Sequence, residues 1–136
     1  MTLARVTLTV LMLCCTWAQA APSTQDDFDL GRRYRNGMGV ERNGARGLLL
    51  IEKAARAGHA QAMFILSTML ALGEGAPRDV QGARRWLEAA AALELPEALQ
   101  QLAMNLREGA PGYERDEARA AQLMDEVEHA MSHRAR

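Results

Sequence analysis

The sequence predicts an all-α protein, a short right-handed α/α solenoid of three helical hairpins. Three observations predict it. Gly37, Gly73 and Gly109 recur every 36 residues, and a fixed period of that length marks stacked helical units. Between them the apolar residues follow the three-and-four spacing of a helix, not the alternation of a strand. The chain is 49% apolar but only 4% aromatic, so small and aliphatic side chains must fill the contacts, as they do where helices approach closely.

Taken in order, the first 20 residues read as a cleaved secretory signal peptide. Arg5 supplies the basic start, Val6 to Cys15 is apolar apart from Thr7 and Thr9, and Ala18-Gln19-Ala20 has small residues where signal peptidase reads. The apolar run is short for a membrane span, and Leu13 before Cys14 does not suit lipidation. The expectation is a periplasmic or secreted protein with no stable membrane insertion after leader cleavage. Cys14 and Cys15 leave with the leader, which removes disulfides, thiolate nucleophiles and cysteine metal ligands from the mature chain. Losing Arg5 leaves 15 basic against 17 acidic residues, a balance that excludes a basic nucleic-acid binder.

Residues 21–25 read as a short linker, 26–131 as the repeat domain and 132–136 as a tail. The first helix of each hairpin is marked by Phe28, Leu30, Gly31 and Tyr34, by Ala62, Leu66, Met69 and Leu70, and by Ala98, Leu99, Leu102 and Leu106. The second helices are expected over 43–57, 79–93 and 114–131. Asn43 and Asp79 suit N-caps, Pro96 suits a first helical turn and Gly58 a left-handed C-cap. Ala54, Ala55, Ala90 and Ala91 fit close helix contacts, and the same crowding is the expected reason for Gly31, Gly47 and Gly82 within helices. Met63, Met69 and Met104 read as core filler.

The run Asp29-Leu30-Gly31-Arg32-Arg33-Tyr34-Arg35-Asn36-Gly37-Met38-Gly39-Val40 closely resembles the LG-x-x-Y-x-x-G-x-G-V signature of Sel1-like repeats, relatives of the tetratricopeptide class. Gly58-His59-Ala60-Gln61-Ala62 is similar to the family's G-x-A-x-A link, and Asp79, Ala83, Trp86 and Ala90-Ala91 repeat the pattern. The third unit departs from it. Pro111 stands opposite Gly75, Glu94 opposite Gly58, and Ala110-Pro111-Gly112-Tyr113 replaces the turn. The resemblance implies a scaffold that binds other proteins, many of its exported bacterial members being tied to envelope assembly, host contact or signalling.

Catalytic chemistry finds little to use. His59 reads as a capping or surface residue. His129, His133 and Asp125 have the one-turn spacing of metal ligands, but a charged terminal helix produces the same spacing, and no metal site is assigned. Asp26-Asp27 and Glu126 with Glu128 read as solvated carboxylates with no apolar pocket to separate their pKa values. No catalytic residue and no cofactor is expected. Recognition remains, on the face lined by the first helices. The candidate partner-binding residues are Arg32, Arg33, Arg35, Gln61, Gln100, Gln101 and Arg107, because guanidinium groups clamp carboxylates and amides contact peptide backbone. The expected function is a non-enzymatic protein–protein interaction scaffold or adaptor in the bacterial periplasm, with a protein or peptide partner and self-association open. The alternative is a small periplasmic enzyme or ligand-binding protein acting on cell-envelope material.

Overall fold

A computed structural model describes residues 22–135, and the expected leader lies outside them. Among the described residues there are six helices and no strand: α1 (Thr24–Asn36), α2 (Gly44–Arg56), α3 (Ala60–Leu72), α4 (Val80–Ala92), α5 (Pro96–Glu108) and α6 (Glu117–Arg134). They form the three expected hairpins, α1/α2, α3/α4 and α5/α6, stacked through α2 on α3 and α4 on α5. No described helix is long and apolar enough to cross a membrane.

Every helix but α5 begins where a side chain accepts from its first free amides. Asn43, Asp79 and Asp116 accept from the backbone N–H three residues on, at 2.9, 2.8 and 2.9 Å. The His59 ring does the same with Nδ1, taking the Ala62 N–H at 3.1 Å. That bond requires an unprotonated Nδ1, so the proton sits on Nε2 and is donated to Gln25 Oε1 at 3.0 Å. The ring also stacks on Phe28, 4.4 Å between centroids, which makes the expected cap a bridge between the first two hairpins. Pro96 opens α5 as expected.

The helices that end at the repeating glycines all do so in the left-handed conformation, Gly37, Gly73 and Gly109 having φ of 71°, 73° and 66°. A second bond then closes every hairpin. The amides of Asn43, Asp79 and Asp116 donate to the carbonyls of Tyr34, Leu70 and Leu106. The third closure spans one residue more than the other two, which corrects the alignment of the diverged turn. Gly112, not Pro111, takes the place of Gly75, with φ of 86° against 79°. The same insertion starts the last helix at Glu117 rather than 114, because Asp116 is its cap.

The outer limits differ from 26–131 as well. Ser23 caps α1 in a reciprocal box with Asp26, so the first helix begins at Thr24 within the expected linker. The last helix continues to Arg134, within the expected tail.

Two buried clusters hold the stack. Phe28, Leu48, Ile51, Leu66 and Met69 centre the first. Leu87, Leu99, Leu102, Leu123 and Val127 centre the second. Between α1 and α2 the contact is backbone on backbone: a Cβ on Gly47 would lie 3.0 Å from the Gly31 carbonyl oxygen, and one on Gly31 would meet Ile51 at 2.7 Å. Gly82 has a different reason from the one expected. A Cβ there would strike the carboxylate of Asp79, the cap of its own helix. Asp27 is not a solvated carboxylate either; it is buried and meets Lys53 Nζ at 2.8 Å.

Glu94 sits at the left-handed position that Gly58 fills one unit earlier, at φ 55°. A side chain there carries strain of about 1–2 kcal/mol. Replacing Glu94 with glycine relieves it and gives back part through unfolded-state entropy. Glu94→Gly is therefore expected to stabilise the protein by about 0.5–1 kcal/mol, read as a Tm a few degrees higher in thermal denaturation. An unchanged or lower Tm would show that the strain is not stored there.

Candidate functional site

Two junctions join the three hairpins, and they are closed differently. At the first, Arg35 on α1 donates from Nε and Nη2 to the two carboxylate oxygens of Glu74, at 2.7 and 3.2 Å. Hydrogen bonding from Arg35 holds the Glu74 carboxyl below its ordinary value of 4.5, against the opposing effect of burial. The link is thus complete above that value and is lost as the pH falls through the lowered one. Gly75 of the same turn lies against the start of α2, 3.5 Å from the position a Gly44 Cβ would take.

At the second junction the one-residue insertion puts Tyr113 where the earlier turn ends, and a groove of about 270 Å³ remains open. Its apolar wall is Ala71, Leu72, Val80 and Leu87, faced by Ala110 and Pro111. Its polar lining is Ser67, Thr68, Gln101, Asn105, Arg78, Arg84 and Tyr113. Ser67 and Thr68 donate their hydroxyls to the Phe64 carbonyl, at 2.7 and 3.2 Å, the usual way a helix satisfies such groups. Gln101 donates to Asn105 Oδ1 at 3.0 Å.

The arginines divide into one that is used and one that is free. Arg84 is held by Glu88 at 2.7 Å, donates to the Gly112 carbonyl at 2.9 Å and lies 5.2 Å from the Tyr113 ring centre. It locks the inserted turn onto α4. Arg78 lines the groove exposed, with no hydrogen bond or ion pair to any described residue. Tyr113 Oη is buried and makes no hydrogen bond of regular geometry. Burial pushes its hydroxyl above the ordinary value of 10, with the Asn105 side chain acting in the opposite direction. A buried hydroxyl without a regular partner is costly, and Asn105 is the side chain close enough to act on it.

The sequence-predicted residues do not share one surface. Gln101 lies in the groove. Arg32 stacks over Phe28 at 5.6 Å, and Arg33 donates to the Met38 carbonyl at 3.2 Å. Arg35 is spent on Glu74. Gln61 is exposed at the start of α3, whereas Gln100 and Arg107 line shallow grooves between α5 and α6. Met104, expected in the core, lines one of these and is 38% exposed. Arg78, Arg84, Asn105 and Tyr113 escaped the sequence reading. The 36-residue register could have found Asn105, which shares the phase of Met69. The inserted turn hid the rest.

His129 Nε2 and His133 Nε2 lie 3.0 Å apart, one donating to the other. Among the described residues no group of three or more His, Cys, Asp or Glu side chains is placed to hold a metal ion.

The family profile for the Sel1 repeat matches residues 27–59, 60–95 and 96–126. A Sel1 repeat protein from Oxalobacter formigenes, known from its crystal structure, superposes with a TM-score of 0.78 at 23% identity, over 85% of this chain and 46% of that one. A protective antigen present in uropathogenic Escherichia coli strains, which displays an SLR fold, superposes with a TM-score of 0.73 at 29% identity. That match covers 78% of this chain and 22% of the antigen. The chain therefore spans less than half the length of either. No curated protein sequence matches it.

Proposed function

Because the chain belongs to the Sel1 repeat family, whose members are generally protein-interaction scaffolds, we propose that it is a non-enzymatic adaptor of the bacterial periplasm that holds a partner segment in the groove at the second junction. The open groove that Tyr113 lines carries the reading. Beside Tyr113 stand an apolar wall, an unpaired guanidinium on Arg78 and the Asn105 amide. That set suits an extended peptide with an aliphatic side chain for Leu72 and Val80, a carboxylate for Arg78 and a backbone group for Asn105. No pair of titratable groups in the groove is poised to pass a proton, and binding is the chemistry its lining supports. The periplasmic address rests on the Ala18-Gln19-Ala20 leader pattern.

Site-directed photocrosslinking in intact bacteria tests this. A photoreactive residue at Leu72 is expected to give a discrete protein adduct that Arg78→Glu abolishes, and one at Arg56 on α2 none. The mature chain in the periplasmic fraction is expected to begin at Ala21. Adducts from Arg56 with none from Leu72 would move the site elsewhere. A full-length cytoplasmic chain would overturn the address.

A further inference from the structure

The face of the last hairpin that points away from the other two repeats the groove just described, with its far wall missing. Ala103, Met104, Arg107, Arg115, Ala120 and Met124 line it. In the register of the repeat these stand where Ser67, Thr68, Ala71, Arg78, Ala83 and Leu87 line the second junction. Position by position, the difference is what covers it. Ile51 is 0% exposed and Leu87 3%, each under the first helix of the next hairpin, whereas Met124 is 42% exposed. Among the described residues no helix lies over it.

We propose that this seat is taken by α6 of a second copy of the chain, in a two-fold symmetric dimer. The exposed stripe of α6 reads Glu117, Ala121, Met124, Glu128 and Met131, one residue every three or four. Met124 is its midpoint, seven residues from either end, about 10 Å along the axis each way. Beside it Met104 and, further on, Met131 are exposed too, and methionine adapts readily to a second surface.

Charge makes the face complementary to itself. Arg107 stands at the end where α6 begins, and Glu128 lies towards the other end. Neither has a hydrogen bond or ion pair to any described residue, while Arg115 and Glu117 neutralise each other. A two-fold axis near Met124 runs the two copies of α6 antiparallel and sets each Arg107 against the other copy's acidic end. Antiparallel is also the sense in which α3 follows α2 and α5 follows α4. Head-to-tail stacking is a poorer fit. The face of α1 that would enter the groove carries Asp26, Asp29 and Arg33 where α3 carries Ala62, Ile65 and Met69.

Sedimentation velocity across a concentration series of the purified protein tests this. The expected result is a monomer–dimer equilibrium that stops at two copies. Met124→Glu should leave only monomer with an unchanged helical CD spectrum. Arg107→Glu and Glu128→Arg should each raise the dimer Kd about tenfold or more. The two together in one chain should restore it, since each reversed residue then meets the other's reversed partner. Monomer at every concentration overturns the proposal. So does a dimer indifferent to Met124→Glu, or growth beyond two copies, which marks head-to-tail assembly.

Discussion

Gly75→Ala is expected to lower stability by about 3 kcal/mol, left-handed strain of about 1–2 kcal/mol adding to overpacking of similar size. At φ 79° an added Cβ would lie 2.4 Å from the Gly44 carbonyl oxygen and 2.6 Å from its carbon. Both are backbone atoms of the preceding hairpin and cannot turn aside like a side-chain tip. Relief requires the turn to lift off α2, and that draws Glu74 away from Arg35. The Tm should fall by roughly 10 °C. Gly58→Ala is the control, because Gly58 has φ 90° and nothing within 4 Å of an added Cβ. It carries the conformational cost alone and should lose about half as much. Equal losses at the two positions would mean that the junction yields and the close approach of Gly75 to Gly44 is not what stabilises it.

Leu99→Ala is expected to cost about 2–5 kcal/mol, the usual price of an aliphatic cavity in a core. Leu99 is 1% exposed and belongs to the cluster that joins α4, α5 and α6. The cluster around Ile51 and Leu66 is separate, Met63 being packed against both. Stability in a solenoid is close to a sum over units and their interfaces, so the loss should fall unevenly. Hydrogen exchange should quicken first in α5 and α6 and least in α1 and α2. A uniform loss of protection along the chain would show one indivisible core and contradict the two-cluster reading.

Much of this architecture was legible in the residues because it is local. A helix start needs an acceptor three residues before an amide, which Asn43 and Asp79 announce. A left-handed stop needs glycine, and Gly37, Gly73 and Gly109 recur at one interval. His59 as a cap followed from its place between two helices. Ser23, with its partner Asp26 three residues on, and Asp116 carry the same kind of cap signal, and neither is read as a cap from the sequence. Met104 was misplaced for another reason. Its spacing is that of a core residue, and it is exposed because no further hairpin of the described chain covers it.

The site was much less legible. Arg32, Arg33 and Arg35 lie close together and look alike as sequence, yet one stacks on Phe28, one holds a turn carbonyl and one pairs with Glu74. Asp27 looks like its neighbour Asp26, but it is buried against Lys53 while Asp26 serves a cap.

The sequence by itself determined three hairpins, their caps and turns, and the family they belong to, because a periodic chain states its local hydrogen bonding and its apolar face every 36 residues. Only the tertiary structure decided which side chains meet. Arg35 reaches Glu74 across 39 residues and Arg84 reaches Gly112 across 28. One inserted residue swings Tyr113 into a groove. Such meetings depend on how one hairpin is rotated on the next, and that rotation is set by contacts such as the backbone approach of Gly75 to Gly44, which no single repeat contains.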